Sequence, residues 1–349
     1  MLIFVSESVS SGSLAATPLP TSLLREGGAM LAAVSTDLAA VPECRVVTTL
    51  DRRLNDSILA DALGRIEIDS ISTADAERAA FKRWVKQADA TLVIAPETDG
   101  ILASRVQQVL DLGGVSLNCL PAAIELCGDK LRLARHFAEH GIRTVPTRPL
   151  SVEERVQPFD IEQAHVIKPR DGAGSWLTFG IRRGDRQAWD NALTEFAAAK
   201  ATGRAILQPW IDGQSISVGC LCEADGQIEV LPIACQNLSG DRFQYQGGQI
   251  PADIPDVTRE AIVELVRTTC SSIQGLRGYI GIDLIVTHAD PQSPMIMEIN
   301  PRLTTSYAGY RQLCLDNLAE RMFRGQPAPL RWKSATVHFL SDGTPHPSA

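Results

Sequence analysis

The chain has 349 residues, more than twice a common domain size, so two or three domains sharing a sizeable buried core are expected. Apolar residues make up 44% and charged residues 21%, an ordinary globular composition that excludes a largely disordered chain. A net charge of −8 without a lysine or arginine cluster argues against a nucleic-acid partner; no segment has signal-peptide or membrane-spanning character, so a cytoplasmic protein with no membrane partner is expected.

Short apolar runs open the chain: residues 2–6, 45–50, 91–97 and 114–119, separated by stretches with helical spacing. That alternation predicts a parallel α/β sheet covered on both faces, whose carboxyl-edge loops are the usual ligand positions. Two such loops, SESVSSGS and PETDG, offer Glu7, Glu97 and Asp99 to a polar or amine substrate. Turn chemistry and helix capping explain the same residues equally well at Asp99.

A helix is predicted from about Gly128 to His140, carrying Lys130 and stopped by Gly141. From about 144 the texture changes to an α+β unit, with strands at 164–170, 204–210, 215–223 and 228–238 and a helix at about 186–200. A further helix is predicted over 258–273, then strands over 279–286 and 295–300, with the final SDGTPHPSA frayed.

The eight cysteines, at 44, 119, 127, 220, 222, 235, 270 and 314, lack a paired CxxC spacing and read as small buried apolar groups. His136 and His140 are helix neighbours without a third ligand, so zinc is not expected there. Neither the Walker A pattern nor a GxGxxG fingerprint after the first strand is present, and no Ser/His/Asp or Cys/His arrangement emerges.

Two stretches carry chemistry. In VIKPRDGAGSW, Lys168 ends an apolar strand and Gly172 and Gly174 follow, glycines that let backbone N–H groups approach phosphate oxygens. In PMIMEINPRLTTS, strand alternation puts Glu298 and Asn300 on one face and Met295, Met297 and Ile299 on the other. If the two last strands form a hairpin, Asp283 joins Glu298 and Asn300 around one cavity, oxygen ligands that suit Mg²⁺, and Arg302 follows to hold a phosphate or oxyanion.

Lys130, Lys168 with its glycine loop, LQPWIDGQSISVG, Asp283 and MEINPR resemble, in order and spacing, the ATP-grasp enzymes over about 115–310. The resemblance implies an ATP-grasp fold, α/β and α+β, preceded by a parallel-sheet pre-ATP-grasp domain. It implies residues 1–120 as that domain, 121–205 as the subdomain with the lysines and glycine loop, 206–330 as the subdomain with the metal site and 331–349 as a tail.

It further implies ATP and Mg²⁺ as cofactors, with Lys130, Lys168, Gly172, Gly174 and Ser175 on the nucleotide phosphates, where the loop 170–176 is the flap. Asp283, Glu298 and Asn300 match the metal positions, and Arg302 with Lys168 the catalytic cations. Gln208, Pro209, Trp210 and Ile211 match the adenine hinge. Pro209 stands where many relatives are acidic, so a hinge donor has to come from Trp210 or Ile211. Ser215 stands where relatives often hold the ribose with a glutamate.

PETDGIL, IELCGDK, YQGGQIP and LREGGAML are similar to the branch that includes tyramine–glutamate ligase of methanofuran biosynthesis. That similarity implies joining the γ-carboxylate of glutamate to tyramine or tyrosine through an acyl phosphate. The segment 234–251 would then be a flexible substrate loop, with Arg242 holding a carboxylate, Tyr245 stacking on an aromatic amine and Gly247 and Gly248 giving mobility. Alternatives are another amide or dipeptide ligase, such as one like D-alanine–D-alanine ligase, a phosphotransferase, or a non-catalytic ATP-binding regulator. A homodimer is expected from relatives.

Overall fold

Apolar runs buried on both faces build the first unit of the computed structural model, which describes residues 1–54, 59, 64–150, 163–172, 174–325 and 328–346. Strands β1 (Leu2–Glu7), β2 (Arg45–Asp51), β3 (Ile66–Ile71) and β4 (Ala90–Ile94) form a parallel sheet in the order β3-β2-β1-β4. Helices α1 (Thr21–Ala39), α2 (Ala74–Gln87) and α3 (Ile101–Asp111) are the crossovers and cover. Ile3, Phe4 and Val5 are fully buried between these layers.

Two details differ from expectation. β3 is an additional edge strand, hidden from the pattern by the acidic Glu67 and Asp69 that an edge tolerates. The expected strand at 114–119 contributes only a parallel bridge between Thr91 and Ser116. Beyond it the Asn118 amide takes over, accepting from Val93 N and donating to Val93 O, each at 2.8 Å, as a further strand residue would have done.

The helix expected over about 128–140 is present, started by its own cap and preceded by a separate short helix. Helix α4 (Pro121–Gly128) ends at Gly128, and the Asp129 carboxylate accepts from the backbone N–H of Leu131 and Arg132 to start α5 (Lys130–Glu139). Gly141, at φ 65°, follows its end.

Next come β5 (Arg148–Pro149), β6 (His165–Pro169), β7 (Phe179–Ile181), α6 (Arg186–Ala198) and β8 (Ala205–Pro209). These strands form an antiparallel sheet in the order β5-β8-β6-β7, with Ile167, Phe179 and Phe196 in its separate core. The expected flap loop, 170–176, follows β6; its Ala173 lies outside the described residues.

The remaining elements are β9 (Gly213–Cys222), β10 (Ile228–Val230), β11 (Ala234–Ser239), β12 (Gln244–Ile250), α7 (Asp256–Ser271), β13 (Gly278–Thr287), β14 (Met295–Asn300), α8 (Ser306–Leu313), α9 (Leu318–Arg324) and β15 (Val337–Leu340). Among the described residues they make a seven-stranded antiparallel sheet ordered β14-β13-β9-β11-β12-β15, with β10 against β9.

The run expected as one strand over 228–238 splits at Leu231-Pro232-Ile233, since proline donates no ladder hydrogen bond. The expected flexible loop over 234–251 is instead the hairpin β11–β12. A Cβ on Gly247 would stand 1.9 Å from the Phe339 carbonyl oxygen, and one on Gly248 2.4 Å from that of Cys235. These glycines allow close strand approach, not mobility. Nor do the described residues of the final SDGTPHPSA fray: β15 pairs with β12 just before them and His346 N donates to His338 O at 2.8 Å, while residues 347–349 lie outside the described residues.

All eight cysteines are free thiols. Cys119, Cys127, Cys220, Cys222 and Cys270 are buried in the core between the large sheet and the helices behind it. Burial pushes the Cys119 thiol up to about 12. No helix among the described residues is long and apolar enough to cross a membrane.

Candidate functional site

A cavity of about 960 Å³ lies where the β6–β8 sheet, the face of the large sheet and the start of α1 converge. Its floor is the β13–β14 hairpin, whose register sets Asp283 directly opposite Glu298. The Asn300 amide donates to Asp283 Oδ2 at 3.0 Å and the Gln236 amide to Oδ1 at 3.0 Å. Burial and the facing Glu298 charge push the Asp283 carboxyl well above the carboxylate range.

Cations come from separate elements. Lys130 opens α5 and brings Nζ to 3.3 Å from Glu298 Oε2, while Lys168 at the end of β6 stands 4.0 Å from the same oxygen. Burial opposes ionisation of Glu298, yet Lys130 and Lys168 together hold its carboxyl below the usual range. Burial draws the Lys168 ammonium down to about 8, against the pull of Glu298. Past the end of β14, Arg302 Nε lies 2.9 Å from Glu97 Oε1.

The flap touches both lysine and hairpin. Lys130 Nζ donates to Gly172 O at 3.0 Å, and Ser175, at φ 61°, donates through its hydroxyl to Phe243 O at 2.8 Å. Gly174 has φ 66°, backbone that favours glycine. Along the opposite wall Gln208, Pro209, Trp210 and Ile211 continue β8 toward Ser215. Trp210 N–H already donates to Ala164 O at 2.9 Å, so of the two expected hinge donors Ile211 is the one left for a ligand.

The expected residues are not all gathered here. Lys130, Lys168, Gly172, Gly174, Ser175, Gln208 to Ile211, Ser215, Tyr245, Asp283, Glu298, Asn300 and Arg302 line the cavity. Glu97 lies beneath Arg302 and faces a second cavity of about 390 Å³, where Asp99 pairs with Arg204 at 2.7 Å. Arg242 is turned away: it pairs with Glu195 at 2.5 Å and covers the Phe179 ring at 3.9 Å, because the hairpin tip that carries it leans on α6.

Glu7 is buried and accepts from Val9 N at 3.0 Å and Ser10 N at 2.6 Å, a structural carboxylate of the first loop. Tyr245 does reach the cavity, its hydroxyl beside Thr305 and Ser306, and burial pushes it up to about 12.

Sequence reasoning missed Gln236, which orients Asp283, and Ser22, Arg25, Glu26 and Met30 of α1. The double glycine of LREGGAML was the available signal. A Cβ on Gly27 would stand 2.6 Å from Glu7 Oε1, so glycine lets α1 settle on the end of β1 with its first turns over the cavity.

Among the described residues no three His, Cys, Asp or Glu side chains gather as a metal site. Two carboxylates and an amide oxygen facing a polar cavity instead suit a hard cation that completes its shell with ligand oxygens and water. The crowded cations suit phosphate.

Two family models match the chain. A family model described as ATP-grasp domain matches residues 127–306, and one described as pre ATP-grasp 3 domain matches 44–124. The chain is 24% identical to tyramine–L-glutamate ligase of Methanocaldococcus jannaschii over 223 residues, 64% of this chain and 58% of that protein. It is likewise 24% identical to the ligase of that name from Methanocaldococcus fervens, with 62% of that protein covered. The chain thus spans about three fifths of the length of these relatives.

Among solved structures, an ATP-grasp superfamily protein from Archaeoglobus fulgidus superposes with a TM-score of 0.69 at 21% identity, over 97% of this chain and 92% of that one. An L-amino acid ligase from Bacillus licheniformis superposes with a TM-score of 0.66 at 15% identity, over 92% and 72%.

Proposed function

The chain belongs to the ATP-grasp family, and from that premise we propose that it is an ATP-dependent carboxylate–amine ligase working through an acyl phosphate. The observation that carries this reading is the Asp283–Glu298 pair gathered with Lys130, Lys168 and Arg302 in the wall of one cavity. Two anions, a carboxylate and a nucleotide triphosphate, meet only where fixed cations offset their repulsion.

In this reading Pro209 O and Ile211 N–H read the adenine edge and Ser215 lies along the ribose. Lys130, Lys168 and the N–H groups of the flap, with Gly172, Gly174 and Ser175, hold phosphate oxygens. Asp283, Glu298 and Asn300 hold Mg²⁺, which when bound neutralises phosphate charge. Arg302, anchored by Glu97, steadies the oxygen on which charge develops.

A carboxylate oxygen of the acid attacks the γ-phosphorus, the bond to the β–γ bridging oxygen breaks, and ADP leaves. The amine nitrogen then attacks the acyl carbon, the C–O bond to phosphate breaks, and phosphate departs with the electron pair. The surplus proton on nitrogen passes to phosphate or water. No protein nucleophile takes part.

The finer reading is glutamate as the acid and tyramine or tyrosine as the amine, giving a γ-glutamyl amide. It is supported by the names of the relatives at 24% identity and by Tyr245 at the cavity wall. The test is ADP release with Mg-ATP and glutamate, adding tyramine, tyrosine and other amines singly, with mass spectrometry of products. A γ-glutamyl amide formed only with an aromatic amine is the expected result. ADP release with other pairs keeps the ligase and removes this pair; nucleotide binding without turnover of any pair overturns the ligase reading.

A further inference from the structure

The cavity does not end at Arg302. Beyond it lies the first part of α1, which presents Ser22, Arg25 and Glu26 on one face, three and four residues apart. Glu26 has one hydrogen-bond partner among the described residues, the Ser22 hydroxyl at 3.3 Å, although a carboxylate offers about four lone-pair sites. Burial pushes its carboxyl up, against the pull of Arg302 and Arg25, so the group is short of compensating charge. Arg25, next to it on the helix, is exposed; it makes no ion pair among the described residues but helps the Thr344 hydroxyl to hold the Asp342 carboxyl below its usual range.

These two charges are held in place. Gly27 seats α1 on Glu7, and Asp37 near the helix end binds Arg311 of α8 at 2.7 Å and the Tyr307 hydroxyl at 2.8 Å. The helix therefore holds a carboxylate with one hydrogen-bond partner and an arginine without an ion pair next to each other on the cavity wall.

We propose that Glu26 and Arg25 form the head-group subsite for an acidic amino acid, receiving its α-ammonium and α-carboxylate respectively, while its distal carboxylate extends to Arg302 and the phosphates. The assignment rests on the ligase reading and specifies which groups of the acid are recognised. An acid lacking the ammonium leaves Glu26 desolvated and unpaired, and one lacking the α-carboxylate leaves Arg25 unmatched. Loss of a recognised polar group costs at least about 10-fold in such sites.

Three probes separate the contributions: glutamate, glutarate, which lacks the ammonium, and 4-aminobutyrate, which lacks the α-carboxylate. Each is titrated by calorimetry into the ADP-bound protein, and KM is taken from ADP release where turnover occurs. The wild type is expected to favour glutamate over both analogues by about 10-fold or more. Glu26→Gln should bring glutamate and glutarate level, Arg25→Gln should bring glutamate and 4-aminobutyrate level, and neither should change ADP affinity, which also shows that the variants fold.

Unchanged preferences in both variants, or no binding of any probe to the wild type, overturn the subsite. Variant-sensitive binding without acid-dependent ADP release overturns the ligase reading and leaves the subsite standing.

Discussion

At the scale of single residues, Glu298 occupies the most contested position, paired with two ammonium groups while facing the Asp283 carboxylate. Replacing it with glutamine keeps size and packing but removes the charge that balances the lysines and the proposed cation. Turnover should fall by about 100-fold or more with the melting temperature nearly unchanged, read by ADP release beside a thermal melt. Near-wild-type turnover would remove the proposed metal site. The alternation that placed Glu298 and Asn300 on one face was legible because strand geometry is local, but it misplaced Met297, which lines the cavity while Ile296 is core, because a bulge between Asp283 and Leu284 shifts the register. The direction of Arg242 was not, because its partner Glu195 lies on a helix far away in sequence.

At the scale of elements, the strands and helices that read clearly were those marked by apolar runs of strand length or by helical spacing: β6, β8, β9, β13, β14, α6 and α7. β12 and β15 were obscure for a shared reason. Each needs the other, and β15 joins from the far end of the chain, so nothing near Gly247 announces that a neighbouring backbone will press against it. Composition cannot tell a glycine kept for mobility from one kept for close approach. Gly247→Ala tests the difference, since it meets both the Phe339 carbonyl and a backbone at φ 125°. A loss of about 3 kcal/mol is expected in urea unfolding; a neutral substitution would mean that the β12–β15 pairing is loose.

At the scale of the molecule, the change of texture near residue 144 marks the passage from the parallel sheet to the antiparallel ones, but does not show how the sheets are tied. The ties are long-range: apolar cores continue from the first sheet into the large one, as where Phe4 and Val47 share a core with Ile216 and Ile280, and charged bridges add to them, Arg204 joining Asp99 to Asp171 and Arg170 binding the Asp129 cap of α5. The core behind the large sheet has a different consequence. Cys119, Cys127, Cys220, Cys222 and Cys270 come from three elements and a connecting loop, are shielded from solvent, and burial makes the Cys119 and Cys127 thiols hard to ionise. An alkylating reagent such as iodoacetamide attacks thiolates, so these sulfurs should stay unmodified until that core opens and then react together. Residue-resolved mass spectrometry along a urea series would turn them into an internal clock for cooperative opening; staggered modification would show that the core comes apart piece by piece.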